Sequence, residues 1–389
     1  MGKKPAALAD ICGLDWIRRK TRPPLPRRPC GTVTLVDLFC GCGGLTLGVW
    51  EAARLNRRRL DIRLAVDDSP DAIAVYRANF RLSPDLARLA DINEVLPGDL
   101  GDRPRAAERR LRDSVGQVDV LVAGPPCQGH SDLNNHTRRD DPRNGLYLRV
   151  IRAVELLEPK VVLIENVGTV IHDRSSVIQK SLKHLGKLRY GVAHQFVRAD
   201  SLGLPQRRKR HILLAVRGNG LDVESLFPAQ CAHAASLREF ICDLVDEPEK
   251  CDDIFHTPSR MTPRNRKRVA YLFRHGVYDL PNSQRPDCHR NGHSYKSMYG
   301  RLRWDVPAQT ITTGFGSMGQ GRFVHPAKER MITPHEAARI QGLPDFYDLS
   351  GVEKRTAIQA MIGNAVPPRV SAILTHRLHC WESQSTLDS

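Results

Sequence analysis

Short apolar runs alternate with longer amphipathic segments between residues 31 and 216. The apolar runs are rich in β-branched residues and read VTLVDLF (33–39), IRLAV (62–66), VDVLVAG (118–124), VVLIENV (161–167) and HILLAV (211–216). The segments between them space apolar residues three and four positions apart, as amphipathic helices do, at 44–56, 70–80 and 146–158. Strands that alternate with helices predict an α/β fold with a mostly parallel sheet covered by helices.

This regular alternation stops near residue 217. The following stretch, to about residue 330, is rich in Arg, His, Asn, Gly and Pro and has few long apolar runs. Two helix-like segments come next, at 333–343, where Thr333 and Glu336 have the spacing of a capping box, and at 366–378. We predict a first domain over 31–216, completed by 354–389, and a smaller loop-rich domain over 217–353. The Pro/Arg-rich end of residues 1–30 predicts a basic N-terminal arm.

Composition and charge narrow the class of protein. The chain has 389 residues, of which 41% are hydrophobic and 26% charged, and no apolar run approaches the length of a membrane helix. Its N-terminus lacks the apolar core of a secretory signal, so we expect a soluble cytoplasmic enzyme. The formal net charge of +16 makes a polyanionic partner such as nucleic acid plausible without proving one.

The ten cysteines are scattered along the chain, which argues against a disulfide framework. No C-x2-C pair occurs, and the gaps between the Cys and His residues of one region match no common zinc module. We therefore predict no structural metal. The residues in that region are Cys231, His233, Cys242, Cys251, Cys288 and His289.

A glycine-rich loop follows the first predicted strand, in the sequence DLFCGCGG at 37–44. Such a loop is consistent with a plain tight turn, an NAD site or another nucleotide-like cofactor. Asp67, at the end of the second strand, is placed to accept hydrogen bonds from ribose hydroxyls, and Asp91 from an adenine amino group. The loop lacks a spaced G-x-G-x-x-G and carries Phe39, whose ring can stack on adenine. These features favour S-adenosylmethionine over a dinucleotide.

Three reactive groups are predicted to lie at the same edge of the sheet. Cys127 follows Gly-Pro-Pro after the third apolar run, Glu165 ends the next run, and QRRKR (206–210) precedes the last. Each has a plain alternative: an inert buried cysteine, a capping or solvated carboxylate, and a solvated basic face. Together they suit one reaction, the methylation of carbon 5 of cytosine.

Carbon 5 of cytosine becomes nucleophilic only after a thiolate adds to carbon 6. Nearby arginines favour the thiolate form of Cys127. A protonated Glu165 can relieve the charge that develops at ring N3, and an arginine at the ring carbonyl can hold base and carboxyl together. Because the reacting atom lies inside the base stack, the nucleotide has to swing out of the duplex.

With these residues in place, the chain resembles the C5-cytosine-specific DNA methyltransferases, of the bacterial or phage restriction-modification type. The resemblance covers roughly 31–216 and 300–380. The matching motifs, in the family's order, are DLFCGCGG, AVDD, GPPCQG, ENV, QRRKR, RMITPHEAARIQGLPD and GNAVPP. It implies a Rossmann-like S-adenosylmethionine-dependent methyltransferase sheet, with 217–353 as the target recognition domain. Double-stranded DNA is the implied partner, with methylation in a short specific sequence, as part of a restriction-modification system or by a solitary methylase. We expect a monomer, with any endonuclease encoded separately.

The resemblance also assigns roles to residues. The catalytic set is Cys127, Glu165, Arg208 and Arg210. The cofactor set is Phe39, Gly41, Gly43, Gly44, Asp67, Asp68, Asp91, Ile92, Pro125, Asn364 and Val366. The candidate DNA contacts are Gln128, Ser131, Arg303, Gln320 and Arg322.

Two positions depart from the family pattern. His130 stands where Phe is frequent, which bears on closure of the loop after Cys127, and Asp67 replaces the commoner Glu. Three alternative functions remain open. They are methylation of RNA cytosine, DNA-binding regulation with lapsed catalysis, and NAD-dependent oxidation.

Overall fold

A seven-stranded sheet forms the centre of the protein. The computed structural model describes residues 11–126, 145–172, 176–218, 221–228, 235–290 and 298–385. The strands are β1 (Thr32–Leu38), β2 (Arg59–Asp67), β3 (Ala87–Leu89), β4 (Val120–Ala123), β5 (Val161–Asn166), β6 (Tyr190–Arg198) and β7 (Lys209–Arg217). Their order is β3-β2-β1-β4-β5-β7-β6, with the first five parallel and β7 antiparallel to both neighbours. The predicted mostly parallel sheet is confirmed.

Helices cover both faces of this sheet, which explains why its central strands read as continuous apolar runs. On one face the core includes α2 (Gly44–Leu55), α3 (Pro70–Phe80) and the last helix, α13 (Pro368–Ser385). On the other it includes α4 (Ile92–Val95), α5 (Ala106–Val115), α6 (Leu146–Leu157) and α7 (Val177–Lys187). Neighbouring residues such as Leu35 and Val36 belong to opposite clusters, as strand alternation requires.

The predicted helices at 44–56, 70–80 and 146–158 agree with α2, α3 and α6 to within one residue at each end. Two strands, β3 and β6, are not among the five apolar runs of the sequence, and β3 is only three residues long. β6 is an edge strand whose positions are mostly exposed or partly buried, so its sequence lacks an apolar run.

Short elements dominate the described part of 217–353. The helices before residue 330 are α8 (Leu237–Ile241), α9 (Pro263–Arg274) and α10 (Asp287–Arg290). The sequence analysis did not predict α9, because this helix buries only Val269 and Leu272 and is otherwise rich in Arg. Isolated bridges, such as the one between Asp279 and Gly300, link the loops.

The two predicted C-terminal helices are present, with a third between them. α11 (Pro334–Gln341) begins with the predicted capping box of Thr333 and Glu336, and all its residues are buried. The sequence analysis missed α12 (Arg355–Asn364), and α13 extends beyond its predicted end at residue 378. The α13 helix packs closely on α2, where a Cβ at Gly48 would collide with the carbonyl oxygen of Pro368. Among the described helices, none has the length and apolarity needed to cross a membrane.

The described part of the first thirty residues is basic, and its helix also packs against the rest of the protein. Helix α1 (Leu14–Ile17) buries Trp16 and Ile17, and the Trp16 ring meets Phe346 edge-on at a centroid distance of 5.4 Å. The backbone N–H of Asp345 donates to the carbonyl of Ile17 at 2.8 Å. The Pro/Arg-rich stretch 20–30 has neither helix nor strand. Ile11, Cys12, Trp16 and Ile17 therefore belong to the core, a contribution that the prediction of a basic arm does not include.

Candidate active site and cofactor loop

The loop after β1 closes on the end of β2 through Asp67. One carboxylate oxygen accepts from the backbone N–H of Gly41 at 2.8 Å, and the other accepts from Ser69 at 3.0 Å. Phe39, Gly41 and Gly43 have positive φ angles of 57°, 51° and 88°, so the backbone turns sharply. Burial raises the pKa of Asp67, and the two backbone hydrogen bonds lower it. Each oxygen of Asp67 keeps a lone pair with which to accept a ligand hydroxyl.

A buried carboxylate that the sequence analysis did not assign lies beside this loop. Asp37, in β1, is 1% exposed. One of its oxygens accepts from the hydroxyl of Thr46 at 2.6 Å, while Oδ1 has no hydrogen bond from the described residues. The pKa of Asp37 is raised to about 8, mainly by burial and further by the charge of Asp67, although the Thr46 hydrogen bond acts to lower it. A charged residue inside the apolar run VTLVDLF was the feature that could have identified it.

The segment that follows α12 returns to the loop after β1. A Cβ on Gly44 would collide with the carbonyl oxygen of Val366, so backbone contacts backbone here. By contrast, a Cβ on Gly41 would meet no atom within 4 Å. The loop therefore has one glycine that permits packing and one that faces open space.

Gly44→Ala and Gly41→Ala should separate folding from cofactor binding. Gly44→Ala should lower stability by about 2–4 kcal/mol, because the methyl group overlaps a carbonyl that packed neighbours hold in place. Gly41→Ala should cost only about 1 kcal/mol of left-handed strain and yet weaken cofactor affinity more than about tenfold, because its methyl enters the open space. Thermal unfolding and calorimetric titration of the cofactor test both. Equal losses of stability in the two variants would contradict this assignment.

The pH dependence of stability should report Asp37. Its folded pKa of about 8 exceeds the unfolded value, so its contribution to stability is complete below about pH 4 and is lost as the pH rises towards 8. Asp37→Asn removes this titration. Its stability relative to the parent should increase by about 2 kcal/mol between about pH 6 and pH 8, then stay level. Denaturant titrations measure the difference, with Asp113→Asn at an exposed position as control. A pH-independent difference would exclude a buried, neutral Asp37.

The other predicted cofactor residues differ in exposure. Asp91 is exposed and caps α4, accepting from the backbone N–H of Asn93 at 2.8 Å. Asp68 and Asn364 are exposed, whereas Ile92, Pro125 and Val366 are buried.

An aromatic wall lies behind the cofactor loop. A Cβ on Gly43 would meet Phe80 and the hydroxyl of Tyr347, and this hydroxyl donates to the carbonyl of Cys42. The Arg22 guanidinium lies over the Phe80 ring, at 5.7 Å, and over Trp50, at 4.9 Å. Nothing in the sequence distinguished Arg22 from the other arginines of the N-terminal segment.

Glu165 and Arg210 meet where β5 ends and β7 begins. Nε of Arg210 lies 2.8 Å from Oε1 of Glu165, and the carboxylate is 7% exposed. The N–H bond is not directed at this oxygen, and Oε1 has no hydrogen bond from the part of the chain that the structure describes. The carboxyl group thus has a nearby cation and one buried oxygen that receives no directed hydrogen bond from the described residues.

Arg208 takes a different position from Arg210. Its guanidinium is 3% exposed and donates to the backbone carbonyls of Ile311, Gly363 and Asn364 at 3.0–3.4 Å. Gln206, fully buried, accepts from the N–H of Ile311 at 2.8 Å. The first and middle residues of QRRKR therefore join β7 to the later chain, while Arg210 reaches the carboxylate.

Cys127, Gln128, His130 and Ser131 lie outside the described residues. The backbone leading to them is described as far as Pro126. There, the side-chain amide of Asn166 donates to the carbonyl of Pro125 at 3.4 Å. This contact links the segment before Cys127 to the strand end that carries Glu165.

Comparison with known proteins identifies the family. Residues 33–380 match the C-5 cytosine-specific DNA methylases. The chain belongs to this family. It is a DNA cytosine-5 methyltransferase that uses S-adenosylmethionine.

The relatives align along most of their length. The chain is 45% identical to the type II methyltransferase M1.BsuMI of Bacillus subtilis, over 95% of this chain and 86% of that protein. It is 28% identical to the type II methylase M.HgiDII of Herpetosiphon aurantiacus, over 87% and 93%. The solved structure of a prophage-encoded DNA modification methyltransferase from E. coli superposes with a TM-score of 0.60 at 22% identity, covering 90% of this chain and 99% of that one. S. pombe Dnmt2 superposes with the same TM-score at 15% identity, covering 91% and 99%.

The loop of this methyltransferase suits its cofactor. Open space at Gly41 and the two acceptor oxygens of Asp67 offer room and polar atoms for an adenosine. Phe39 packs with part of its ring against the buried cluster.

The predicted recognition arginines of the methyltransferase are held by carboxylates. Arg322 pairs with both oxygens of Asp279, at 2.7 and 3.0 Å, and Arg303 lies 3.2 Å from Asp305. Gln320 is exposed. All three lie on or beside the surface, as DNA contact requires, and the ion pairs orient the two guanidinium groups.

Proposed function

We propose that Cys127 is the nucleophile that adds to carbon 6 of a cytosine flipped out of duplex DNA. The observation that carries this proposal is the buried Glu165 beside Arg210, with one oxygen free of directional hydrogen bonds within the described residues. A carboxyl group placed in this way can bind ring N3. The Asn166–Pro125 contact supports a position for Cys127 at the same edge.

In the proposed covalent step, each bond formed is matched by the transfer of a proton or an electron pair. The Cys127 thiolate forms the S–C6 bond while Glu165 gives its proton to N3, and the ring electrons move to carbon 5. The cofactor supplies an electrophilic methyl group. After carbon 5 is methylated, its proton leaves to a base, the S–C6 bond breaks, and N3 returns its proton to Glu165.

Arg210 and Arg208 have separate parts in this proposal. Arg210 is close enough to Glu165 to hold the carboxyl against the base and to donate to the ring carbonyl oxygen. Arg208 keeps Gly363 and Asn364 in position, next to the Val366 segment that packs on the cofactor loop. We therefore assign Arg210 to the base, and to Arg208 a positioning role in addition to any contact with the base.

A substrate analogue tests the covalent proposal. Duplex DNA with 5-fluorocytosine at the target should trap the enzyme after methyl transfer, since fluorine cannot leave as a proton does. Mass spectrometry of the digested complex should find the adduct on the peptide that contains Cys127. Methylation with no trapped adduct, or an adduct on another cysteine, would contradict the proposal.

Residues 217–353 are proposed to read the target sequence. Its part from Arg260 to Arg330 is strongly basic, and its Arg, Asn, Gln and Ser side chains are those that pair with base edges in the major groove. Arg303, Gln320 and Arg322 are the proposed base contacts. Because its relatives are named type II methyltransferases, we also propose a short specific target, a separately encoded endonuclease, a monomeric enzyme and a cytoplasmic location.

A hybrid enzyme tests this assignment. Replacing residues 217–330 with the corresponding region of a relative should transfer that relative's target sequence, while Cys127 remains the nucleophile. Bisulfite sequencing reports the methylated positions. An active hybrid that still methylates the original sequence would locate recognition elsewhere.

A further inference from the structure

A basic pocket lies beside the reacting site, where β6 ends and β7 begins. It has a volume of about 450 Å³ and is lined by Arg198, Asp200, Arg207, Lys209 and Pro307. The assigned roles of the cofactor loop, Glu165 and Arg210 do not involve it. We call it the β6–β7 pocket.

Positive charge in this pocket exceeds negative charge. Asp200 is the carboxylate among the lining residues, and Arg198 donates two hydrogen bonds of 2.9 and 2.5 Å to it. Arg207 and Lys209 are exposed, and neither has a carboxylate partner among the described residues. In the described part of the chain, two cations that line the pocket thus lack a carboxylate partner.

The position of Lys209 is restrained by an aromatic ring. Its ammonium lies 4.2 Å from the centre of the Phe196 ring, which is 40% exposed on the edge strand. A Cβ on Gly168 would lie 3.2 Å from this ring, so a glycine at this position allows the turn after β5 to approach Phe196 closely. A cation held by an aromatic face keeps its charge available to an anion.

The pocket opens at the same sheet edge as the reacting carboxylate. Lys209 pairs with Arg198 in the β6–β7 register, and the next residue along β7 is Arg210, whose guanidinium contacts Glu165. Alternation along the strand turns Lys209 away from Arg208 and Arg210. The pocket therefore lies near the Glu165–Arg210 pair, and the Lys209 side chain that lines it is on the opposite side of β7 from Arg210.

We propose that the β6–β7 pocket binds a backbone phosphate of the DNA close to the target nucleotide. The inference rests on the proposed function, because it needs DNA at this edge. A phosphate oxygen matches a guanidinium and an ammonium that have no carboxylate partner within the described residues, and the pocket is large enough to admit the phosphate with its waters. Arg207 and Lys209 hold the phosphate, and the Arg198–Asp200 pair forms a wall of the pocket.

The test compares two double variants that each remove two positive charges. In Arg207→Ala/Lys209→Ala, affinity for the duplex at low salt should fall more than about tenfold. The slope of log affinity against log salt should become shallower by about 0.9 for one lost phosphate contact. The matched control is Lys180→Ala/Lys183→Ala, on exposed positions of α7. Its affinity should stay within about twofold and its slope should change little. Equal losses in both variants would overturn the proposal, since the effect would then be one of net charge.

Neutral phosphates locate the contact. Methylphosphonate placed at single positions should weaken binding of the parent enzyme at one position near the target, and this effect should vanish in Arg207→Ala/Lys209→Ala. Inorganic phosphate, titrated at constant ionic strength, should not bind the parent enzyme at low millimolar concentration. Saturable binding in that range would indicate a site for the free ion and overturn the DNA assignment. Unchanged cofactor affinity shows that the variant is folded. If the parent enzyme does not methylate DNA, the proposed function is wrong. If it methylates DNA and the two double variants bind DNA equally well, only the proposed phosphate site is wrong.

Discussion

Cys127→Ser is expected to reduce methyl transfer more than about a thousandfold, because a hydroxyl group near neutral pH is a far weaker nucleophile than a thiolate. Cofactor affinity should be unchanged, since the loop from Phe39 to Gly44 is untouched. Transfer of a labelled methyl group into duplex DNA measures the rate, and calorimetry measures cofactor binding.

The matched control for this variant is Cys288→Ser, which changes an exposed cysteine of α10. It should retain the activity of the parent enzyme. Substantial turnover by Cys127→Ser would exclude the covalent mechanism, whatever the control shows.

Glu165→Gln should lower the turnover rate about 10²–10⁴-fold, because an amide keeps the shape and one hydrogen bond of the carboxyl group but cannot give up its proton to N3. DNA affinity should change only modestly. Single-turnover kinetics at saturating DNA separate the chemical step from binding. An unchanged rate would mean that another group serves N3.

Arg210→Lys separates the charge beside Glu165 from its geometry. Lysine keeps the positive charge but loses the planar fork that can contact the carboxylate and a ring carbonyl together. We expect an intermediate loss of turnover, smaller than that of Glu165→Gln. A larger loss would assign to Arg210 more than a role in holding the base.

The sequence predicted the sheet and the placement of Glu165 well, because both depend on local patterns. Apolar runs buried on both faces marked β1 and β5, and the strand ends located Asp67 and Glu165. The motif QRRKR alone did not distinguish Arg208 from Arg210. The structure does, because Arg208 contacts carbonyl groups more than a hundred positions away, whereas Arg210 contacts Glu165.

Features that depend on distant contacts were not predictable. Nothing in the N-terminal segment indicated that Trp16 would pack on Phe346 or that Arg22 would lie over Trp50. β6 escaped prediction because an edge strand with one exposed face has no apolar run, and α9 because it buries only two side chains. These elements acquire their conformation from the neighbours they meet.

Methylation of cytosine in duplex DNA is measured by bisulfite sequencing of DNA treated with the purified enzyme and S-adenosylmethionine. We expect protected cytosines at one short recurring sequence in duplex DNA, and none after treatment with Cys127→Ser. Complete conversion of every cytosine, with methylated cytosine recovered instead from RNA exposed to the same enzyme, would contradict this expectation.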